Sequence, residues 1–186
     1  SWIRENATDA VIDATHPFAA QITTNTAEAC VAAGVPRLKL VRPAWENQPG
    51  DDWIPAANVT DAAARLSSLG KHAFLSVGRQ EVAAFAIVAG TTLIIRSIDP
   101  PDDADRLPGA IFITGRGPFT IADEIALFRD HKTDVLVSKN AGGDATYAKI
   151  AAARELGLKV IMIGRPPVPA GDVVDSVDAA LAWLSA

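Results

Sequence analysis

The stretch Asp134-Val-Leu-Val-Ser-Lys-Asn-Ala-Gly-Gly143 carries the pattern that decides the fold. It begins with a short, mostly apolar run, and a lysine, an asparagine and two glycines follow directly. An apolar run without polar alternation is typical of a parallel strand that is covered on both faces. The residues after it predict a turn at the carboxyl end of that strand, which is where open α/β sheets bind their ligands.

Similar apolar runs recur along the chain and predict further buried strands over residues 10–14, 37–41, 73–77, 92–96, 110–114 and 159–163. Helical spacing of apolar residues predicts helices over residues 18–33, 120–130 and 177–184. A further alanine-rich helix is expected to begin at Asp144, as its N-cap, and to stop at Gly157. This alternation of strands and helices favours an α/β fold with a doubly wound parallel sheet.

Residues 43–52 are rich in proline, glycine, asparagine and acidic side chains, which suits a linker or a long surface loop. About one strand–helix–strand unit precedes this stretch and five strands follow it. We therefore predict two domains, residues 1–58 and residues 59–186. Residues 2–6 look like the end of a helix and residues 9–15 like an interior strand, so we also expect a segment ahead of Ser1.

The composition excludes several classes of function. The chain has 17 basic and 22 acidic residues and a formal net charge of -5, which does not suit general nucleic-acid binding. The single cysteine, Cys30, fits a reducing cytoplasm, and no Cys/His spacing predicts a metal site. No apolar stretch is long enough to cross a bilayer. The chain also lacks a P-loop, a G-x-S-x-G elbow and a glycosidase-type carboxylate pair.

The turn Asp13-Ala-Thr-His-Pro-Phe18 follows a predicted strand and opens a predicted helix. Thr15 can cap that helix, Pro17 suits its first turn, and the free N–H groups there can hold an anion. The simpler interpretation is that Thr15 only caps the helix and that His16 is a packed or surface residue.

Two further turns combine glycine with arginine. Gly78-Arg79 follows the strand at 73–77, and Gly115-Arg-Gly117 follows the strand at 110–114. The second turn resembles a dinucleotide fingerprint, but Thr120 stands where the third glycine belongs and no acidic residue ends the next strand. Glycine permits close approach of a ligand and arginine can bind carboxylates or phosphates, although an ordinary turn explains each motif equally well.

The turn at residues 138–144 needs its two glycines for its backbone conformation. That structural role does not explain Lys139 and Asn140. We therefore interpret the turn as a binding site for a phosphate or a polar edge of the substrate. Arg165 follows the strand at 159–163 in a proline-rich turn. Basic residues thus follow four predicted strands, namely Arg79, Arg116, Lys139 and Arg165. If one parallel sheet holds these strands, their shared edge predicts an anionic ligand.

Several motifs together resemble the precorrin-6A reductases of cobalamin biosynthesis. They are Asp13-Ala-Thr-His-Pro-Phe-Ala19, Gly115-Arg-Gly-Pro-Phe119 with Glu124, His131-Lys-Thr-Asp-Val-Leu-Val-Ser-Lys-Asn-Ala-Gly-Gly143 with Thr146 and Lys149, and Val160-Ile-Met-Ile-Gly-Arg-Pro166. The resemblance covers essentially the whole chain. Ala141 departs from it, since a serine is usual there.

The resemblance implies that NADPH reduces one macrocycle double bond of precorrin-6A and gives precorrin-6B. It also implies two Rossmann-like, doubly wound parallel-sheet domains with the active site in the cleft between them. The family normally begins with a strand and a Gly-Thr-rich turn that helps to bind the cofactor, and this sequence has neither ahead of Ser1. We therefore expect the first domain to be incomplete here.

On this resemblance, His16 and Lys139 are the candidate proton donors. The expected cofactor-binding residues are Thr15, Gly78, Arg79, Gly115, Arg116, Gly117, Asn140, Gly142 and Gly143. The expected substrate-binding residues are Pro17, Phe18, Phe119, Thr146 and Arg165. The sequence does not divide the basic side chains between cofactor phosphates and substrate carboxylates. It predicts no metal, no nucleic-acid or membrane partner, and a cytoplasmic protein.

Two other functions remain open at this point. One is a non-catalytic domain that binds a dinucleotide or a tetrapyrrole, and the other is a transferase that acts on a nucleotide-activated substrate. Neither requires the Lys139, Asn140 and Gly142-Gly143 set together with the Thr15-His16-Pro17 turn, which therefore discriminates between them and a reductase.

Overall fold

The computed structural model describes residues 2–99 and 107–186 and divides the chain into two compact units. The first unit contains Ser1–Ala44 and Pro166–Ala186, and the second contains Trp45–Arg165. Each unit has its own sheet, and every strand pairing in both sheets is parallel. The predicted α/β class with parallel sheets is confirmed.

The first unit has a three-stranded sheet in the order β1-β2-β9. Its elements are α1 (Trp2–Glu5), β1 (Val11–Asp13), α2 (Ala20–Ala33), β2 (Arg37–Leu40), β9 (Asp172–Val174) and α6 (Val177–Leu184). The helix α2 ends at Gly34, whose left-handed φ of 71° lets its N–H reach the carbonyl of Val31. The helix α6 begins after Ser176, which accepts a hydrogen bond from the N–H of Ala179.

The second unit has a six-stranded sheet in the order β3-β8-β7-β4-β5-β6. Its strands are β3 (Asp52–Ala56), β4 (His72–Ser76), β5 (Thr92–Ser97), β6 (Ile111–Thr114), β7 (Val135–Lys139) and β8 (Lys159–Ile163). Its helices are α3 (Val59–Leu66), a 3-10 helix (Arg79–Ile87), α4 (Ile121–Asp130) and α5 (Ala148–Glu155). The buried core of this unit includes Phe74, Ile94, Phe128, Leu136 and Ile150.

The six-stranded sheet reverses its winding between β4 and β7. From β4 the chain runs through β5 to β6 on one side, and it then returns to β7 and β8 on the other. The two strands pair in register, with Ser76 opposite Ser138. Such a switch point opens a crevice at the carboxyl ends of the strands, where doubly wound proteins bind ligands. A ligand site is therefore expected at the turns that follow β4 and β7.

Two predicted helix starts are wrong. The helix α2 begins at Ala20 rather than at residue 18, and no side chain caps it. The oxygen of Thr15 instead bonds to neighbouring polar side chains, and Pro17 lies in a turn before the helix. The helix α5 begins at Ala148 after Tyr147, since the chain first makes a turn in which the carbonyl of Asp144 accepts from Tyr147 N.

The sequence analysis did not predict β3 or β9. Pro55 interrupts the hydrogen-bond donors of β3, and this is tolerated because β3 is an edge strand. The strand β9 has only three residues. Since β3 pairs with β8 and β9 pairs with β2, the compact units do not coincide with the expected division at residue 58. Among the described residues, no helix is long and apolar enough to span a membrane.

Candidate functional site: the basic carboxyl edge of the large sheet

A basic residue stands at or just after the carboxyl end of five neighbouring strands. In sheet order these residues are Arg165 after β8, Lys139 in β7, Arg79 after β4, Arg96 in β5 and Arg116 after β6. The predicted common edge of Arg79, Arg116, Lys139 and Arg165 is confirmed, because all these strands are parallel. With strands about 4.8 Å apart, the row spans about 19 Å. A single small anion cannot contact both of its ends.

Trp45 and Asn140 hold the turn that follows β7. The side chain of Asn140 accepts a hydrogen bond from Trp45 N at 2.8 Å and donates one to Trp45 O at 2.9 Å. The indole Nε1 of Trp45 donates to the carbonyl of Gly143 at 2.8 Å. Arg165 donates from Nε to Asn140 O at 2.9 Å and from Nη2 to Ala141 O at 3.1 Å. The turn is thus fixed through its carbonyl groups.

The N–H groups of this turn, unlike its carbonyl groups, point to a candidate binding site. Across residues 2–99 and 107–186, no acceptor is hydrogen-bonded to the N–H groups of residues 142–146. Gly142 and Gly143 have φ values of 70° and 71°, a left-handed conformation that glycine adopts readily. Successive N–H groups in such a turn form a concave site for an anion. Gly142, Gly143 and Thr146 are therefore brought together in one turn before α5.

Gly78 and Lys139 meet across the switch point. Glu81 accepts a hydrogen bond from Gly78 N at 2.8 Å and forms an ion pair with the ammonium group of Lys139. A Cβ atom on Gly78 would lie 3.1 Å from the Glu81 carboxylate and 3.8 Å from Lys139 Nζ. The neighbouring residue, Arg79, is exposed and begins the 3-10 helix. Gly78 and Arg79 line a pocket of about 390 Å³ that also contains Arg96.

The ring of Phe119 packs against both glycines of the turn after β6. A Cβ atom on Gly115 would lie 3.2 Å from the ring of Phe119, and one on Gly117 would lie 3.4 Å from the same ring. A side chain at Gly115 would therefore crowd the Phe119 ring, whereas one at Gly117 would make an ordinary van der Waals contact with it. Arg116 between the two glycines is exposed. Gly115, Gly117, Phe119 and Thr146 line one pocket of about 180 Å³.

That pocket contains an ion pair that the sequence analysis missed. Arg96 donates to both carboxylate oxygens of Glu124, at 2.7 and 3.1 Å. Its guanidinium carbon lies 3.8 Å from the centroid of the Phe119 ring, a cation–π contact. Arg96 ends a run of apolar β-branched residues, and Glu124 lies on α4 beside buried positions. In the sequence, Arg96 and Glu124 could have been identified as charged residues that interrupt an apolar strand and an apolar helix face.

Lys149 is another charged group of this pocket to which the sequence assigned no role. It lies on α5, it is 5% exposed, and it lines the same pocket. Its Nζ donates to Thr146 O at 2.9 Å and lies 5.1 Å from the centroid of the Trp45 ring. Burial is the largest influence on the pKa of Lys149 and lowers it, Glu124 opposes this effect, Arg96 adds to it, and the resulting pKa is about 8.

In the first unit, a buried polar cluster stands at the carboxyl ends of β1 and β2. Lys39 Nζ donates to Asp13 Oδ1 at 2.9 Å, to Thr15 Oγ1 at 3.0 Å and to Thr23 Oγ1 at 3.1 Å. Burial alone would raise the pKa of Asp13, but hydrogen bonds from Thr15 and Lys39 outweigh it and lower the pKa to about 2. The signal in the sequence was a lysine between Leu38 and Leu40 in a predicted buried strand.

The cluster fixes the loop that carries His16, Pro17 and Phe18. Thr15 belongs to the cluster, whereas His16 is exposed and its Nδ1 accepts from the N–H of Phe18 at 3.2 Å. Pro17 and Phe18 are half-buried. This loop and the basic row belong to different units. The catalytic, cofactor-binding and substrate-binding roles of all these residues stay predictions.

No group of three or more metal-ligating side chains occurs within the described part of the chain. Cys30 is buried on α2, as expected for a core residue, and burial raises the pKa of its thiol.

Comparison with known proteins gives one consistent result. The model of the family described as precorrin-6x reductase CbiJ/CobK matches residues 1–185. The precorrin-6A reductase of Rhodococcus erythropolis is 51% identical over 183 residues, which is 98% of this chain and 73% of that protein. The precorrin-6A reductase of Mycobacterium tuberculosis is 41% identical over 185 residues, which is 99% of this chain and 75% of that protein.

A solved structure described as CobK precorrin-6A reductase superimposes with a TM-score of 0.94 at 38% sequence identity. The match covers 99% of this chain and 75% of that structure. Relatives named precorrin-6A reductase are 39% to 51% identical to this chain. Relatives named cobalt-precorrin-6A reductase, such as that of Salmonella typhimurium, are 27% to 31% identical.

Proposed function

We propose, from the premise that the chain belongs to the precorrin-6x reductase CbiJ/CobK family, that it reduces one macrocycle double bond of precorrin-6A with NADPH and gives precorrin-6B in cobalamin biosynthesis. A reductase requires a reducing cofactor, and the sequence resemblance favours NADPH in that role. Both ligands are polyanions, since one carries phosphates and the other carries acetate and propionate groups.

The observation that carries this proposal is the basic row. Five cationic side chains on adjacent strands extend over about 19 Å, which is far longer than one phosphate or carboxylate. A dinucleotide or a macrocycle with several carboxylates has the length to contact more than one of them. The switch point between Gly78 and Lys139 lies within this row, where doubly wound sheets bind their ligands.

The turn after β7 fits a phosphate group. Its N–H groups at residues 142–146 have no acceptor within the described residues, while its carbonyls at Asn140, Ala141 and Gly143 are already bonded. We assign cofactor phosphates to Gly142 and Gly143, with Lys139 as the neighbouring cation and Asn140 as the support of the turn. When bound, the cofactor supplies a hydride. Gly78 and Arg79 serve the same ligand on the other side of the switch point.

Thr15, Gly115, Arg116 and Gly117 complete the proposed cofactor-binding set. For Gly115 the packing of Phe119 is a competing reason, because a Cβ atom there would lie 3.2 Å from the ring. Thr15 acts through the cluster with Lys39 and Asp13, which keeps its loop in one conformation.

The proposed substrate contacts are Pro17, Phe18, Phe119, Thr146 and Arg165. Phe119 and Thr146 share a pocket, and Phe119 offers an aromatic face. Arg165 already donates to two backbone carbonyls, so its contribution includes support of the turn after β7.

A proton must reach the carbon next to the one that is reduced. His16 and Lys139 are the proposed donors. His16 is exposed in its loop and can exchange protons with solvent. Lys139 is oriented by Glu81, which fixes the direction from which the ammonium group could deliver a proton.

Cobalt-free precorrin-6A is the proposed substrate, because identity is higher to the relatives that bear that name than to those named for the cobalt form. The test is an anaerobic incubation of the protein with NADPH and either pigment. The proposal expects one NADPH consumed for each precorrin-6A and a gain of two hydrogens in the pigment. Binding of both ligands without this gain would instead support a non-catalytic binding protein.

A further inference from the structure

We propose that Lys149 receives one anionic group of the bound ligands, a carboxylate of the substrate or a phosphate of the cofactor, in the pocket between the turn after β6 and the start of α5. We call this the Lys149 pocket and define it by Ser76, Arg96, Phe119, Glu124, Thr146 and Lys149. The inference rests on the proposed function, which supplies the anionic ligands, and it identifies a cation beyond the basic row.

The first argument is the lack of a counter-ion for Lys149. Lys149 is 5% exposed, and no carboxylate in the described ranges forms an ion pair with it. Its ammonium group has three N–H donors, and one of them is used by Thr146 O. A buried cation without a counter-ion is costly, because burial removes the water that would stabilise its charge. An incoming anion would remove that cost.

The second argument is the state of Glu124, the nearby acid on α4. Both of its oxygens accept hydrogen bonds from Arg96, and its side chain is 3% exposed. Arg96 is in turn held against the Phe119 ring, at 3.8 Å. The pair carries no net charge, so Glu124 favours the charged form of Lys149 only in part and forms no ion pair with it. The three charged groups leave the pocket with a net positive charge.

The third argument is the opening of the pocket at the same edge as the basic row. Ser76 ends β4 and Arg96 lies near the end of β5, so the pocket begins where these strands end. Its volume of about 180 Å³ suits a single carboxylate or phosphate group rather than a whole cofactor. A ligand that extends along the row could place one of its anionic groups here.

The lowered pKa of Lys149 gives the pocket a measurable signature. The charged groups that face Lys149 are Glu124 from α4 and Arg96 from β5. In the free protein the ammonium group loses its proton near pH 8. A bound anion favours the charged form and raises that pKa, so binding at pH 8 to 9 takes up a proton. Affinity is then highest below pH 8 and falls as the pH rises above it.

The test measures binding of NADP⁺ alone and of precorrin-6A alone, each by calorimetry without turnover. Lys149→Met should weaken one of the two probes about tenfold or more, and Lys149→Arg should retain most of that affinity. Lys159→Met is the matched control, since Lys159 is exposed at the opposite end of β8. The weakened probe identifies whether a phosphate or a carboxylate enters the pocket.

Wild-type protein provides an independent readout that does not depend on a variant that folds. The same probe should bind with proton uptake at pH 8 to 9, measured in two buffers that differ in ionisation enthalpy. Equal affinities of the wild type and a folded Lys149→Met for both probes would overturn the proposal. It would also be overturned if neither NADP⁺ nor precorrin-6A bound with proton uptake. Failure of the proposed function is distinct, because it appears as wild-type protein that binds but does not reduce precorrin-6A.

Discussion

The side chain of Asn140 makes two hydrogen bonds with the backbone of Trp45, at 2.8 and 2.9 Å. The two residues are 95 positions apart in the chain. Asn140 therefore ties the start of the larger unit to the turn after β7, while the Trp45 indole holds Gly143 in the same turn. This arrangement gives Asn140 a structural role that is separate from any contact with ligand.

Asn140→Ala should remove both of these hydrogen bonds and leave the Trp45 backbone groups without partners. We expect a loss of about 1 to 3 kcal/mol in the free energy of unfolding, because unsatisfied backbone groups are costly when they are half-buried. Urea denaturation measures this change. The control is Asn25→Ala, since the Asn25 side chain is exposed and accepts a hydrogen bond from exposed Gln21, so its loss should change stability little. Equal stability of Asn140→Ala and wild type would contradict the account of this turn.

Lys139→Ala should weaken binding of the cofactor or the substrate at least about tenfold, since a charged hydrogen bond contributes more than a neutral one. Lys159→Ala removes the same charge from the amino end of the neighbouring strand β8. It should leave both affinities unchanged. Titration with NADP⁺ and with precorrin-6A checks both variants. If Lys139→Ala binds both ligands as the wild type does, Lys139 is only a turn residue.

The apolar runs in the sequence predicted the central strands well. The strand at 159–163 matches the prediction at both ends, because the four residues after Lys159 are apolar and buried, as in a parallel strand covered on both faces. Edge and short strands do not follow this rule. β3 contains Pro55 and exposed positions, so its pattern resembled a loop. The three residues of β9 carry too little pattern to identify a strand, and its pairing with β2 is a long-range contact.

Gly115→Ala should displace the Phe119 ring, because the new Cβ atom would lie 3.2 Å from it. A double-mutant cycle with Phe119→Ala separates two reasons for the glycine. If ring packing alone requires it, Phe119→Ala should remove most of the stability cost of Gly115→Ala. If a ligand also approaches there, the loss of NADP⁺ affinity caused by Gly115→Ala should persist in the double variant. Gly164→Ala, with its nearest atom at 3.6 Å, is the control.

The low pKa of Asp13 predicts a specific acid sensitivity. Because the pKa lies at about 2 in the folded protein, below the ordinary aspartate value of 3.8, Asp13 stabilises the fold above pH 4. That contribution, on the order of 2 kcal/mol, is lost as the pH falls from 4 to 2. The measurement is the free energy of unfolding against pH for wild type and for Asp13→Asn/Lys39→Met, which removes both charges. An identical acid dependence in the two proteins would show that Asp13 is not responsible.

The strand-end positions of the predicted site residues could be found from sequence, since glycine and basic residues interrupt the apolar pattern at each strand end. The side chains that meet around these residues in the folded protein could not be paired from sequence. Arg96, Glu124 and Lys149 come from β5, α4 and α5, and only the folded sheet brings them into one pocket. The packing of Phe119 onto Gly115 is likewise a contact of side chain and backbone that spacing alone does not define.

The most direct test of the proposed reaction uses NADPH with deuterium at the transferable position of the nicotinamide. The protein is incubated anaerobically with precorrin-6A, and the pigment is analysed by mass spectrometry. The account predicts that the product gains one deuterium from the cofactor and one hydrogen from solvent. A reduced pigment without deuterium, or an unchanged pigment in the presence of bound cofactor, would contradict it.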